Sequence, residues 1–203
     1  MADKMKERVL VFPAKLLREI GYFQGVSKDW RKYTDRILAK SVSGYMSRAE
    51  AEKNPDYMQI IPYVILISNG MVFRYTRGKG GSEERLRALY SLGVGGHISL
   101  DDESMFEDPY ETALERELAE EIEIGSSYET AIAGVLNDDA NDVGRVHFGI
   151  VHIYKLAAPE VKKRESVVTQ VGFIPIEDLQ KDFERYETWS QWCIRDLAEL
   201  GGG

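Results

Sequence analysis

Cysteine and histidine are scarce in this chain of 203 residues, which contains one cysteine and three histidines. The lone Cys193 excludes an internal disulfide, as expected in a reducing compartment. The histidines show no spacing typical of a zinc motif. No apolar run reaches the length that a membrane span needs, and the first residues lack the apolar core of a secretory signal. We therefore expect a cytoplasmic protein.

Positive charge is also in the minority, because 26 lysines and arginines face 34 aspartates and glutamates, a formal net charge of −8. This balance argues against stable binding to nucleic acid or to an anionic membrane. It does not exclude a small phosphorylated ligand, since bound cations can supply the missing positive charge. The hydrophobic share of 43% is ordinary for a globular protein of this length, which can bury a sizeable core.

Hydrophobic patterning predicts an α+β sandwich with a mixed sheet and no regular βαβ alternation. The clearest signal is the apolar run from Ile60 to Ile67, followed by Asn69-Gly70, which is typical of a hairpin turn. Further strands are expected at residues 9–12, 71–75, 86–94, 130–136, 146–156 and 167–174. Helices are expected at residues 29–46, 109–123, 176–182 and 187–200.

The helix predicted at residues 109–123 has strong start signals. Asp108 is a good N-cap, Pro109 suits the first helical position and Glu111 completes a pattern like a capping box. An apolar residue recurs every fourth position in this helix, at Leu114, Leu118 and Ile122. One face of the helix is therefore expected to pack on the core.

The same helix carries the most informative stretch, Arg116-Glu117-Leu118-Ala119-Glu120-Glu121. Glu117, Glu120 and Glu121 are related by three and four residues, so that their carboxylates share one helix face. Crowded like charges repel, whereas a divalent cation such as Mg²⁺ or Mn²⁺ favours carboxylate oxygen. The neighbouring Arg116 can offset charge or orient a carboxylate. A solvated acidic face is the simpler alternative.

The context of this helix resembles the signature of the Nudix hydrolases. That signature is Gly, five residues, Glu, seven residues, then Arg-Glu-apolar-any-Glu-Glu-any-Gly-apolar. Gly96, at the end of a predicted strand, matches the leading glycine. The helical half is matched by Arg116, Glu117, Leu118, Glu120, Glu121 and Ile124.

The resemblance implies a Nudix-type fold and a metal-dependent pyrophosphohydrolase or phosphoesterase. It assigns Glu117, Glu120 and Glu121 to the metal ions, with the backbone carbonyl of Gly96 as a further ligand. Arg116 would orient the carboxylates. The implied cofactor is Mg²⁺ or Mn²⁺, and the implied partner is a small phosphorylated substrate, most naturally a nucleotide. Relatives are often dimers, so a homodimer is compatible.

Two departures from the signature stand out. Gly96 and Glu117 enclose about six more residues than the family pattern has. The isolated glutamate of the pattern therefore has no unique counterpart. The residues that compete for its place are acidic ones from one loop, namely Asp102, Glu103, Glu107 and Asp108. In addition, Glu123 stands where the family has glycine, and we expect the helix to continue towards Gly125.

The base that takes a proton from water has three candidates: Glu117 and Glu120 in the helix, and Glu165 in a later loop. Glu165 follows Lys162-Lys163-Arg164 and could equally be a surface charge. The candidate substrate-binding residues are four side chains near predicted strand ends, namely Arg74, Arg77, His97 and Arg145. For these, an exposed or packing role is the alternative.

We predict an N-terminal extension at residues 1–57 packed on the core, a Nudix domain at 58–200 and a tail at 201–203. The extension is similar to that of bacterial proteins predicted to be Nudix-type phosphoesterases. One alternative function is a catalytically weak nucleotide-binding or sensor module on the same fold, since the signature carries an insertion. Isomerisation of an isopentenyl-type diphosphate is another, but in this family it uses an active-site cysteine, and Cys193 lies far along the chain.

Overall fold

The structure is a computed structural model that describes residues 6–77, 89–103, 108–164 and 168–200. The chain divides into two compact units. The first consists of Met1–Pro62, Gly96–Glu115 and Gly134–Ile150. The second consists of Tyr63–Gly95, Arg116–Ala133 and Val151–Gly203. Within the described ranges, no helix is both long and apolar enough to cross a membrane.

The described strands are β1 (Arg8–Pro13), β2 (Gly25–Ser27), β3 (Gly44–Ser47), β4 (Tyr57–Ser68), β5 (Met71–Arg77), β6 (Tyr90–Ser91), β7 (Gly93–Val94), β8 (Ile122–Ile124), β9 (Tyr128–Asn137), β10 (His147–Leu156), β11 (Val161–Lys163) and β12 (Val168–Pro175). The helices are α1 (Lys15–Ile20), α2 (Trp30–Ile37), α3 (Arg48–Ala51), α4 (Pro109–Glu121) and α5 (Thr188–Leu200). Among the described residues, 3₁₀ segments lie at Leu100–Asp102, Gly144–Val146 and Ile176–Arg185.

The first unit is organised around β1, which pairs antiparallel with β3 and with the beginning of β4. The strand order β4-β10-β9-β2 extends its sheet. On one side of β1, the buried Val9 and Val11 pack with Ala51 of α3. Because β1 pairs with β4 at Val11 and Gln59, residues before 58 form part of this sheet. The boundary predicted at residue 57 stays a prediction.

The second unit contains the strand order β12-β5-β4, with β6 paired to β5 and β7 paired to β4. The predicted hairpin is present, since Ser68 faces Met71 across Asn69 and Gly70. Both turn residues have positive φ, 50° and 75°, as a tight hairpin turn requires. A separate pair, β8 and β11, completes the unit. The α+β class with a mixed sheet and helices is confirmed.

Three element predictions need correction. The helix expected at residues 29–46 ends at Ile37, because Gly44–Ser47 pairs with β1 as strand β3. The helix expected to 123 ends at Glu121, because Ile122–Ile124 pairs with β11. The continuous strand expected at 86–94 is two short strands around the buried Leu92, and residues 86–88 lie outside the described ranges.

Candidate active site

Helix α4 positions the predicted metal-binding carboxylates. Its start is fixed by Asp108, whose Oδ1 accepts a hydrogen bond from the backbone N–H of Tyr110 at 3.0 Å. The predicted apolar stripe is buried, with Leu114 and Leu118 almost completely covered. Burial of that stripe fixes the rotation of the helix about its axis. The rotation in turn decides where the glutamates point.

Arg116 joins two of the three carboxylates. Its Nη1 lies 2.8 Å from Oε1 of Glu117 and 3.4 Å from Oε1 of Glu120. The Glu117 side chain is 16% exposed and the Glu120 side chain is 47% exposed. Glu117 is therefore mostly covered, whereas Glu120 is open to solvent. A guanidinium that bridges two acids lowers their mutual repulsion and restricts their rotamers. The structure therefore brings Arg116, Glu117 and Glu120 into direct contact.

Glu121 closes the same helix. Its Oε2 atom is shielded from solvent, and its backbone carbonyl accepts a hydrogen bond from the backbone N–H of Arg164 at 2.8 Å. Nη1 of Arg164 also donates to the carbonyl of Ala119 at 3.1 Å. Carbonyls of the last helical turn need such partners because they lack donors within the helix. Arg164 thus supplies two donors to the carbonyl end of α4. The candidate base Glu165 comes next in sequence and lies outside the described residues.

In the acidic loop before α4, two carboxylates accept hydrogen bonds from backbone N–H groups. Oδ2 of the buried Asp102 accepts a hydrogen bond from the N–H of Ser99 at 2.7 Å, which completes a capping box over the 3₁₀ segment. Asp108 caps α4, as predicted. Glu103 is exposed, and Glu107 lies outside the described part of the chain. The counterpart of the isolated family glutamate stays open.

The electrostatic effect of this loop is visible at Tyr45 of β3. Burial, together with the negative charges of Glu103, Asp102 and Asp108, raises the pKa of the Tyr45 phenol to about 12. Negative charge nearby disfavours the phenolate. The Tyr45 hydroxyl therefore stays protonated beside this loop at neutral pH.

His97 is part of a second cluster, in the first unit, directly after Gly95 and Gly96. Its Nε2 lies 3.3 Å from Nε2 of His147, at the start of β10. Oε1 of Glu52, which follows α3, lies 4.0 Å from Nε2 of His97 and 3.8 Å from Nε2 of His147. The structure thus groups His97 with two residues that were not among the predicted site residues. Gly96 falls within the first unit, and Gly95 has a φ of 152°.

Two of the predicted substrate-binding arginines, Arg74 and Arg145, have described side chains, and both contact nearby residues. Arg74 lies 3.3 Å from Oδ2 of Asp182 and stacks over the ring of Tyr90 at 4.1 Å. Arg145 lies 3.1 Å from Oδ1 of Asp142 and is largely exposed. The side chain of Arg77, at the end of β5, lies outside the described residues. Their role in substrate binding stays a prediction.

Cys193 is fully buried in α5, and burial raises the pKa of its thiol well above the ordinary value. A buried, protonated thiol is a poor acid–base or nucleophilic group. The structure therefore gives no support to the isomerase alternative.

Sequence reasoning missed Glu52 and the helix-capping role of Arg164. Glu52 belongs to the segment interpreted as an extension, and nothing in its spacing from either histidine indicates a shared site. The basic run at residues 162–164 was visible, but a contact between a loop and a distant helix end has no local pattern. Both contacts depend on how the strands pair.

Comparison with known proteins identifies relatives across nearly the whole chain, although no family model matches. Protein YmaB of Bacillus subtilis (strain 168) is 36% identical over 208 residues, covering 97% of this chain and 99% of YmaB. The crystal structure of Tm1382, a candidate Nudix hydrolase, superposes with a TM-score of 0.78 at 28% identity, covering 96% of this chain and all of Tm1382.

More remote structures show the same fold. The Nudix domain of Shewanella oneidensis NrtR, solved with ADP-ribose, aligns at a TM-score of 0.52 and 14% identity, covering 71% of this chain and 86% of that domain. The signature residues of α4, the mixed sheet and the near full-length relatives agree with one another. The chain is a relative of YmaB throughout its length and belongs to the Nudix hydrolase superfamily.

Proposed function

We propose that this protein hydrolyses a phosphoanhydride bond in a nucleotide or a nucleoside-diphosphate-linked substrate, with Mg²⁺ or Mn²⁺ as cofactor. The observation that carries the proposal is the arrangement on α4, where Arg116 contacts both Glu117 and Glu120 and Glu121 follows directly. Family membership supports hydrolysis as the reaction class.

The donor set fits the implied metal. Three carboxylates on one short stretch of helix offer several hard oxygen atoms, and the Arg116 guanidinium lies beside two of these carboxylates. Mg²⁺ uses few protein carboxylates and completes its shell with water and substrate phosphate oxygens. We assign Glu117, Glu120 and Glu121, which lie in the second unit, as metal-binding residues. The role of the Gly96 carbonyl stays a prediction from the family pattern.

The metal ion, when bound, would neutralise diphosphate oxygens and lower the pKa of water. The chain's own residues would place and deprotonate the nucleophile. Arg116 donates to both Glu117 and Glu120 and would orient their carboxylates. A carboxylate then takes the proton as water attacks phosphorus, and the candidates are Glu120, Glu117 and Glu165.

Substrate contacts are proposed for side chains that can donate to phosphate or base. Arg145 and Arg74 are the described arginines among them, and Arg77 completes the set; we do not extend the substrate role predicted for His97, because its Nε2 faces His147. Arg145 is the more accessible of the first two, since its side chain is 56% exposed against 22% for Arg74. We therefore rank Arg145 above Arg74 as a phosphate contact.

The alternative function is a nucleotide-binding or sensor module that binds without turnover. It is favoured by the acidic loop, where Asp102 and Asp108 are both engaged in capping. The NrtR Nudix domain, which has the same fold, was solved with ADP-ribose bound, in line with this alternative.

A substrate panel separates the two functions. Nucleoside di- and triphosphates, nucleotide sugars, ADP-ribose, dinucleoside polyphosphates and coenzyme-type diphosphates would each be incubated with Mg²⁺, with Mn²⁺ and with chelator. Calorimetry would measure binding of the same compounds. The proposal predicts cleavage of at least one class that stops in chelator. Saturable binding of a compound with no cleavage of any would instead assign the sensor function.

A further inference from the structure

Three residues from separate segments of the first unit meet outside the helix signature. Glu52 follows α3, His97 follows the glycine pair after β7, and His147 opens β10. One donor atom from each lies within 4.8 Å of the other two. The cluster is largely covered, since the side chains of Glu52, His97 and His147 are 17%, 12% and 8% exposed.

The distances are close to those of a metal shell. Donors around a four-coordinate ion with bonds of ~2.1 Å lie about 3.4 Å apart. The two imidazole Nε2 atoms are 3.3 Å apart. Oε1 of Glu52 is 3.8 and 4.0 Å from them, so that a small rotation of its carboxylate brings it into the same shell.

The orientation of His147 supports a metal-binding role. Its Nδ1 lies 2.7 Å from the backbone carbonyl of Val143, which can only accept a hydrogen bond. Nδ1 therefore carries the proton, and in the neutral ring Nε2 presents its lone pair to the cluster. A carbonyl that fixes the tautomer of a histidine from behind is a regular feature of metal-binding histidines.

The surrounding charges also favour a cation. The buried Arg48 lies 3.6 Å from Oε1 of Glu52 and 3.4 Å from Oε2 of Glu7, so that its charge is shared between two carboxylates. When both imidazoles are neutral, Arg48, Glu52 and Glu7 together carry a net charge of about −1. Arg48 orients the Glu52 carboxylate without neutralising the cluster.

We propose that Glu52, His97 and His147 form a binding site for a divalent transition-metal ion, for which Zn²⁺ is the best match. Two imidazoles and one carboxylate are a ligand set of known zinc sites, and they leave a coordination position open. Nitrogen ligands select against Mg²⁺, which prefers oxygen. In the metal-free protein, Nε2–H of His97 donates to Nε2 of His147; on metal binding, His97 carries its proton on Nδ1 instead.

Calorimetric titration of the full chain with Zn²⁺ tests the site. Excess Mg²⁺ would be present throughout to occupy the carboxylates of α4. The proposal predicts one tight equivalent in the wild type and at least roughly a hundredfold weaker binding in Glu52→Gln and His97→Gln, since even outer-shell partners of metal ligands contribute 10- to 100-fold. The matched control is Glu50→Gln, an exposed glutamate two residues away, which should bind as the wild type does.

Imidazole ¹⁵N spectra give a readout that does not depend on variants. The chain has three histidines, so that His152 is an internal control. Zn²⁺ should shift the Nε2 resonances of His97 and His147 and leave those of His152 unchanged. Stoichiometric Zn²⁺ binding that persists in both ligand variants, or absence of these shifts, would overturn the site. Because no substrate is used, and because Glu120→Gln should retain the site, its failure is distinct from failure of the proposed hydrolase function.

Discussion

At the scale of single residues, the interior of the second unit is held by a buried polar group as well as by apolar packing. The Glu187 carboxylate accepts hydrogen bonds from the Tyr63 hydroxyl at 2.7 Å and from the N–H of Ser190 at 3.0 Å. A buried carboxylate is costly unless it is satisfied in this way. The ring of Tyr63 is thereby fixed, and its face lies against Gly93 of β7.

Gly93→Ala should destabilise the protein. A Cβ at this position would overlap the Tyr63 ring, which forces a shift of a buried side chain or of the strand. Overpacking of this kind costs about 1–3 kcal/mol. Denaturant unfolding would measure the loss. Gly172→Ala in β12 is the matched control, because a Cβ added there would meet no atom of the described residues within 4 Å beyond its own chain neighbours, and its effect should be near zero.

His152 should make stability fall in mild acid. Burial lowers the pKa of its imidazole from 6.5 to about 4 in the folded chain. The unfolded chain therefore binds the proton first as pH falls below 6.5, and the stabilisation present above that pH is lost down to about 4. The loss attributable to this residue is about 3 kcal/mol. Between these pH values, the free energy of unfolding should fall more steeply with decreasing pH for the wild type than for His152→Phe. An equal pH dependence in the two proteins would contradict the assignment.

At the scale of elements, α4 shows what the sequence could and could not predict. Its N-terminus was predictable because Asp108 and Pro109 act locally, and so were its buried stripe and its glutamates. Its end was not, because Ile122–Ile124 leaves the helix to pair with Val161–Lys163, far along the chain. The prediction of a helix beyond Ile37 is wrong for the same reason, because Gly44–Ser47 pairs with β1 and forms a strand.

Asp108 should act as a helix cap and not as a metal ligand. Asp108→Asn keeps an oxygen that can accept the N–H of Tyr110, so that stability and turnover should stay close to the wild type. Asp108→Ala removes the cap and should cost about 1 kcal/mol in denaturant unfolding. A loss of metal-dependent turnover in Asp108→Asn, with unchanged stability, would instead assign Asp108 as the counterpart of the family glutamate.

At the scale of the whole molecule, the chain matches relatives over almost its full length, including residues 1–57. This segment supplies β1 and also Glu52 of the second cluster. Family membership was predictable from the residues between Gly96 and Ile124. The histidine cluster was not, since its members are brought together by the pairing of strands that are distant in sequence.

The net charge of −8 predicts that nucleic acid is not a partner. Fluorescence anisotropy with a labelled short DNA duplex and a labelled single strand at low salt should show no saturable binding. Binding that weakens steeply as salt is added would contradict this expectation.

A homodimer also stays a prediction, and sedimentation equilibrium tests it.

If the carboxylates of α4 carry metal-dependent hydrolysis, two variants of that helix should differ sharply in rate. Rates of cleavage in Mg²⁺ and in Mn²⁺ would be measured across the substrate panel for the wild type, Glu120→Gln and Glu115→Gln. Glu115 is an exposed glutamate of α4 at a variable position of the signature. We expect a loss of at least roughly a hundredfold in Glu120→Gln and an unchanged rate in Glu115→Gln. Equal rates in the two variants would contradict this expectation.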